Sequence, residues 1–144
     1  MLLDFHTICN KYNLNIKGVL HIGAHYGQED SLYRSKNIQN IMYFEPLTNN
    51  FRVLESNVPK NTILHKIALG NEEKNINMYV ESSNTGMSSS ILKPEHHLVQ
   101  YPHIAFNEIE EVKMRKLDNI EFDRNDYNMI NIDVQGYELE VFKG

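Results

Sequence analysis

The stretch from Val19 to Glu29, Val-Leu-His-Ile-Gly-Ala-His-Tyr-Gly-Gln-Glu, constrains the fold more than any other part of the chain. An apolar run ends at Gly23, a tight loop reaches Gly27, and helical spacing resumes over residues 28–37 through Leu32 and Tyr33, with Asn37 as its stop. A strand that passes into a helix through glycines suits the βα unit of an open parallel sheet, where glycine lets the backbone come close to a ligand. Taken alone, the Gly-x-x-x-Gly spacing is common and fits a bare strand-to-helix turn equally well.

A second feature separates the two readings. Residues 41–44 form another short apolar run, closed by Glu45-Pro46, and a proline there ends the strand because it cannot donate to the ladder. Glu45 falls 22 residues after Gly23. A carboxylate at that spacing can accept hydrogen bonds from both ribose hydroxyls and would repel the phosphate carried there by NADP. The competing reading, a surface glutamate before a proline turn, fits the strand context less well.

The third feature is Asn131-Ile-Asp-Val-Gln-Gly-Tyr-Glu138, which closes an apolar strand over 127–133. An acid at the carboxyl end of a buried parallel strand lies where open α/β sheets bind ligands. Asp133 is therefore a candidate to hold a cofactor amino group or to take a substrate proton as general base. Gly136 permits a turn. Glu138 falls in the first turn of the following helix, where a negative charge is favoured, so helix-end stabilisation competes with catalysis for its role.

The rest of the chain fits the same frame. Residues 1–13 have amphipathic helical spacing, 49–57 form a helix with Phe51, Leu54 and Val58 on one side, 62–67 a third strand, and Gly70-Asn71 a turn. Strand, helix, strand, helix, strand in that order argues for parallel strands joined by right-handed crossovers. Residues 75–81 alternate through Ile76, Met78 and Val80, and 110–117 through Val112 and Met114. These two arms predict an antiparallel, hairpin-like insertion, with a Ser/Gly-rich loop at 82–90 and an irregular stretch at 93–107, containing Pro94 and Pro102, between them. A helix opens at 137–143. The expected architecture is a Rossmann-like three-layer α/β sandwich, mainly parallel, with core order 3-2-1-4 and a β insertion after the third strand.

Composition narrows the function classes. With 144 residues, 41% of them hydrophobic, the chain suits one domain with a real core. The net charge is -5 and the longest basic cluster is Lys113-Met-Arg-Lys116, so nothing resembles the basic stripe of a nucleic-acid binder. No apolar run approaches the roughly 20 residues of a membrane span. The N-terminus lacks the basic and apolar regions of a signal peptide. Cys9 is the lone cysteine, which rules out an intramolecular disulfide and fits a reducing, cytoplasmic setting. His96, His97 and His103 lie in a polar stretch without a Cys or carboxylate at ligand spacing, so they read as solvated or substrate-facing, and no metal is called for. Ser88–Ser90 read either as pocket lining or as a plain turn. Tyr79 and Tyr101 have no independent claim.

Taken together, His21-Ile-Gly-Ala-His-x-Gly-Gln-Glu29, Tyr43-Phe-Glu-Pro46, Ala68-Leu-Gly70, Ser88-Ser-Ser90, Lys116-Leu-Asp118 and Ile132-Asp-Val-Gln-Gly-x-Glu-Leu139 resemble, in order, the FkbM family of S-adenosylmethionine (SAM)-dependent methyltransferases. The resemblance runs from about Gly18 to Gly144. It implies that Gly23, His25 and Gly27 line the methionine part of SAM, that Glu45 holds the ribose, and that Ile67-Ala68 borders the adenine. His21, Ala24, Pro46 and Asp133 are further implied cofactor contacts. It also implies methyl transfer, most often to a hydroxyl oxygen of a sugar or small-molecule acceptor, by in-line displacement with proximity and orientation as the main catalytic effects. Asp133 is the first candidate for assisting deprotonation and His25 the second.

Two positions depart from the commoner family pattern. His21 replaces the acid that usually opens the glycine loop, which leaves the holder of the SAM amino group open, and Gln135 replaces a glutamate. By the same resemblance a full sheet has seven strands, so the 1–144 domain is expected to be incomplete at its C-terminal end. The 127–133 strand would then be an apolar edge that could pair in a homodimer. Two other classes compete: a SAM-binding or interaction module without catalysis, and a dehydrogenase-type nucleotide-binding domain. The absence of a full Gly-x-Gly-x-x-Gly set argues against the latter.

Overall fold

The structure is a computed structural model and describes residues 4–81, 89–91 and 108–144. The chain runs α1 (Phe5–Lys11), β1 (Gly18–Ile22), α2 (Asp30–Ser35), β2 (Asn40–Phe44), α3 (Thr48–Asn57), β3 (Ile63–His65), β4 (Ala68–Leu69), β5 (Lys74–Val80), β6 (Glu108–Arg115), β7 (Met129–Ile132) and α4 (Glu138–Phe142). Two 3-10 turns, Leu117–Asn119 and Arg124–Asp126, lead from β6 to β7. The readings at residues 1–3, 82–88 and 92–107, including Ser88, His96, His97, Tyr101 and His103, lie outside the described residues.

Local chemistry sets the ends of these elements. Asp4 caps α1, its carboxylate accepting from the Thr7 backbone N–H at 3.1 Å and from the Thr7 hydroxyl at 2.9 Å. Asn37 adopts φ +61 just beyond α2, the left-handed conformation that asparagine tolerates at a helix stop. The third strand is shorter than the expected 62–67, because the chain leaves the sheet after His65 and Ala68–Leu69 pair elsewhere.

The principal sheet has the order β3-β2-β1-β7 and every pairing in it is parallel. This is the α/β Rossmann-like arrangement with the expected core order. Its central strands β1 and β2 are covered on both faces, and the side-chain alternation of a strand sorts them. Val19, Ile41 and Tyr43 pack with Phe5, Cys9, Tyr33 and Leu54 of α1, α2 and α3. Leu20, Ile22, Met42 and Phe44 face the other way, onto Leu69, Ile120 and Val141. The chain starts on β1, moves outward through β2 and β3, and returns to β7 on the other side of β1. That reversal opens a crevice at the carboxyl ends of β1 and β7.

The insertion forms a second sheet. β5 and β6 pair antiparallel over seven residue pairs, Lys74↔Met114 to Val80↔Glu108. The two-residue β4, which sequence alternation does not reveal, joins β6 in parallel, so the sheet has three strands rather than two. Leu47, Ala68, Met78, Val112 and Met114 bury its inner face against the main domain.

A long-range cap ties the two sheets together. The residue before α3, Leu47, offers no side-chain cap, and Glu110 of β6 supplies one instead. Its Oε1 accepts from the Thr48 backbone N–H at 2.9 Å and from the Thr48 hydroxyl. Glu110→Ala is expected to lower stability by about 1 kcal/mol, the usual worth of a helix cap. Urea denaturation checks this, and an unchanged midpoint would show that water replaces the glutamate at no cost.

Candidate cofactor site

The crevice is a cleft of about 760 Å³ at the carboxyl ends of β1, β2 and β7. Its wall comprises the end of β1 with the glycine loop, the segment from Phe44 to Leu47, the stretch Ile67 to Leu69, and the residues from Asn131 to Gln135. Met78, Ser89 and Ile91 of the insertion close the remaining side. Of the residues singled out from the sequence, His21, Gly23, Ala24, His25, Glu45, Pro46, Ala68 and Asp133 all line this one cleft.

The glycine loop is held from both sides. Gly23 and Ala24 donate their N–H groups to the Phe44 carbonyl at 2.9 and 3.0 Å, and Asp133 donates to the Ile22 carbonyl at 2.9 Å. Gly23 has φ +80, and a Cβ on it would lie 2.0 Å from the Asp133 carbonyl oxygen. Its side must therefore stay bare so that β1 and β7 can close. Gly27 lies off the cleft wall, with φ +72, and its missing Cβ makes room for Leu54 of α3 and for Val58 just past it. Both glycines thus have packing reasons, and Gly23 also borders the cleft. Between them His25 takes φ +50, its ring stacks on Tyr26, and its Nδ1 lies 2.9 Å from Gln28 Nε2.

Glu45 is the hinge of the site. It is 4% exposed, and its two oxygens reach different segments. Oε2 accepts from the His25 backbone N–H at 2.8 Å, and Oε1 from the Leu47 backbone N–H at 3.0 Å, with Asn50 Nδ2 at 3.5 Å. Burial pushes its carboxyl up to about 7, and the Leu47, His25 and Asn50 donors offset this only in part. The negative charge of Glu110 nearby adds to the rise.

His21 is also buried and faces α2. Burial pushes its imidazole down to about 4, so it is neutral at physiological pH. Its Nδ1 lies 3.2 Å from Tyr33 Oη, which accepts from Asn131 Nδ2 at 2.7 Å. Beside it the Tyr43 hydroxyl donates to Asp30 Oδ1 at 2.8 Å, and Asp30 is paired with Arg34.

The two buried groups have opposite linkage to stability. Glu45, with a raised folded pKa, contributes fully below its ordinary 4.5 and loses that contribution as pH rises through about 7. His21, with a depressed folded pKa, contributes above its ordinary 6.5 and loses it as pH falls toward about 4. Each shift corresponds to roughly 3 kcal/mol, so between pH 4.5 and 6.5 the slopes nearly cancel. Glu45→Gln is therefore expected to turn a flat stability profile into one that falls on acidification. Denaturation midpoints at pH 5.0, 5.75 and 6.5 test this, and an equally flat profile in the variant would count against it.

Past β7 the chain turns through Gln135 (φ +53) and Gly136 (φ +95). Glu138 accepts from the Val134 and Gly136 N–H groups at 3.3 and 3.2 Å, which assigns its carboxylate to holding this turn. Asp133 is exposed at the cleft mouth, its Oδ1 accepting from Gln135 Nε2 at 2.9 Å. Ser90 donates to the Gln135 carbonyl at 3.1 Å, and so fastens the insertion to this turn. Ser89, not Ser90, lines the cleft.

The structure adds Asn131, Leu47, Asn50, Met78 and Ile91 to the cleft, none of which the sequence marks as a site residue. Asn131 alone left a trace, as a polar residue inside an apolar strand. Among the described residues there is no cluster of His, Cys, Asp and Glu able to hold a metal, and no helix is long and apolar enough to cross a membrane.

A parallel sheet in the order β3-β2-β1-β7, with a glycine loop after its first strand and an acid after its second, defines a Rossmann-like α/β domain. The family model described as Methyltransferase FkbM domain matches residues 21–144. The chain therefore belongs to the FkbM family of methyltransferases. No curated protein and no solved structure matches it at a significant level.

Proposed function

We propose that the chain binds SAM in this cleft and methylates a hydroxyl oxygen of a sugar or other small-molecule acceptor. The observation that carries the reading is Glu45, a buried carboxylate on the cleft wall that ties the glycine loop to the turn before α3. A carboxylate has about four acceptor positions, so its protein donors leave room for ribose hydroxyls. The cleft volume suits a nucleoside-sized ligand, and Ile67, Ala68, Leu69 and Met78 offer an apolar wall for its base. These residues fit SAM, with Glu45 as ribose anchor, Pro46 and Ala68 beside the nucleoside, and Gly23, Ala24 and His25 beside the amino-acid end. When bound, SAM would supply an electrophilic methyl group on a sulfonium.

The protein's own contribution is binding, orientation and proton transfer. Asp133 sits at the cleft mouth just past the end of β7, its N–H held by the Ile22 carbonyl, where its carboxylate can take the proton of an acceptor hydroxyl. His25, on the facing loop, is the second candidate for that proton.

Calorimetry with SAM and with NAD comes first, and NAD binding without SAM binding would sink the proposal. Methyl transfer from labelled SAM to a panel of sugars and small alcohols follows. Asp133→Asn is expected to cut kcat on a productive acceptor roughly 100-fold or more while SAM affinity stays within a few-fold. An unchanged kcat would remove Asp133 from proton transfer. Full SAM affinity with no turnover on any acceptor would favour a binding module.

A further inference from the structure

The parallel register sets Tyr43, His21 and Asn131 in one row across β2, β1 and β7. Tyr33 reaches that row from α2, its Oη 3.2 Å from His21 Nδ1 and accepting from Asn131 Nδ2 at 2.7 Å. Burial pushes Tyr33 up to about 12 and His21 down to about 4, so neither is charged near neutral pH. The Tyr33 hydroxyl has one proton to donate, and among the described residues the acceptor within its reach is His21 Nδ1. Tyr43 does not compete, because its hydroxyl is committed to Asp30.

A neutral imidazole whose Nδ1 accepts must carry its hydrogen on Nε2. That nitrogen makes no hydrogen bond to a described residue, and it is not among the described polar atoms sealed from solvent without a partner. His21 itself lines the cleft beside the glycine loop. With Nδ1 taken by Tyr33, the group His21 has left to offer a ligand at the end of β1 is the neutral Nε2–H. Such a group cannot hold an ammonium and is suited to a negatively charged oxygen.

We propose that His21 donates from Nε2 to the carboxylate at the amino-acid end of SAM, with Tyr33 and Asn131 as positioning residues that set its tautomer. The inference rests on the SAM reading above.

The test combines calorimetry on the full chain, using SAM, decarboxylated SAM and 5′-methylthioadenosine, with nitrogen NMR of the His21 ring. The wild type is expected to bind SAM roughly 10- to 100-fold more tightly than decarboxylated SAM, which keeps the amine and lacks the carboxylate. His21→Phe should collapse that ratio toward one, and Tyr33→Phe should reduce it, while affinity for 5′-methylthioadenosine stays the same. The ring spectrum should show Nε2 protonated and Nδ1 bare in the wild type, with mixed tautomers in Tyr33→Phe.

Equal affinity of the wild type for SAM and decarboxylated SAM, or a protonated Nδ1, would overturn the inference while leaving the SAM reading intact. Binding of neither SAM nor 5′-methylthioadenosine would overturn both. Either wild-type measurement can overturn the inference even if a variant fails to fold.

Discussion

Gly23→Ala is expected to cost at least about 3 kcal/mol of stability, a large share of what a domain of this size has to lose. Two penalties add. An L-residue at φ +80 is strained, by roughly 1–2 kcal/mol, and the new Cβ would meet the Asp133 carbonyl at 2.0 Å. That oxygen belongs to the backbone, so relief requires β1 and β7 to separate, which breaks the hydrogen bond from Asp133 N–H to Ile22. Gly27→Ala shares the backbone strain, at φ +72, but its Cβ would meet the ends of the Leu54 and Val58 side chains, which can shift. A smaller loss, about 1–2 kcal/mol, is expected there. Urea denaturation of the two variants gives the order directly. Equal losses would mean that strain alone, and not the collision with β7, makes Gly23 necessary.

Substitution of Glu45 should have the largest effect on binding. Glu45→Gln keeps the shape but has one acceptor oxygen where the carboxylate has two, so either His25 N–H or Leu47 N–H loses its partner. With the charge-assisted bonds to ribose also lost, affinity for SAM is expected to fall roughly 100-fold or more. Affinity for 5′-methylthioadenosine should fall alongside it, since that ligand retains the ribose, in contrast to the effect expected of His21→Phe. In the wild type, SAM affinity should rise as pH increases through about 7, because the ionised carboxylate is the form that accepts from hydroxyls. Binding near neutral pH should then release a proton, visible as a calorimetric enthalpy that varies with the buffer's ionisation enthalpy. A pH-independent affinity together with a mild effect of Glu45→Gln would exclude Glu45 as the ribose anchor.

Much of this frame was legible in the residues themselves. The apolar runs at 19–22 and 41–44 became β1 and β2, because a strand covered on both faces reads as continuous hydrophobic sequence, and the more mixed run at 127–133 became the edge strand β7. The alternation at 75–81 and 110–117 became the antiparallel pair β5 and β6 by the complementary rule. Ala68–Leu69 did not announce itself as a strand, since two residues have no periodicity to detect. The cap from Glu110 to Thr48 was equally invisible, spanning 62 positions between elements that meet only after both sheets have formed.

The site divides along the same line. The sequence by itself determined the residue types and the strand ends that bear them: a glycine loop after β1, an acid after β2 and another after β7. Those follow from local backbone demands and from the period of buried strands, both of which act over a few neighbouring positions. The tertiary structure alone decided what each group is bonded to. It made Gly23 a contact point for β7, gave both Glu45 oxygens backbone donors, directed Glu138 into a turn, and set His21 beside Tyr33 and Asn131. Protonation state follows from burial and from partners distant in sequence, so the charge on Glu45 and the tautomer of His21 exist as properties of the assembled sheet.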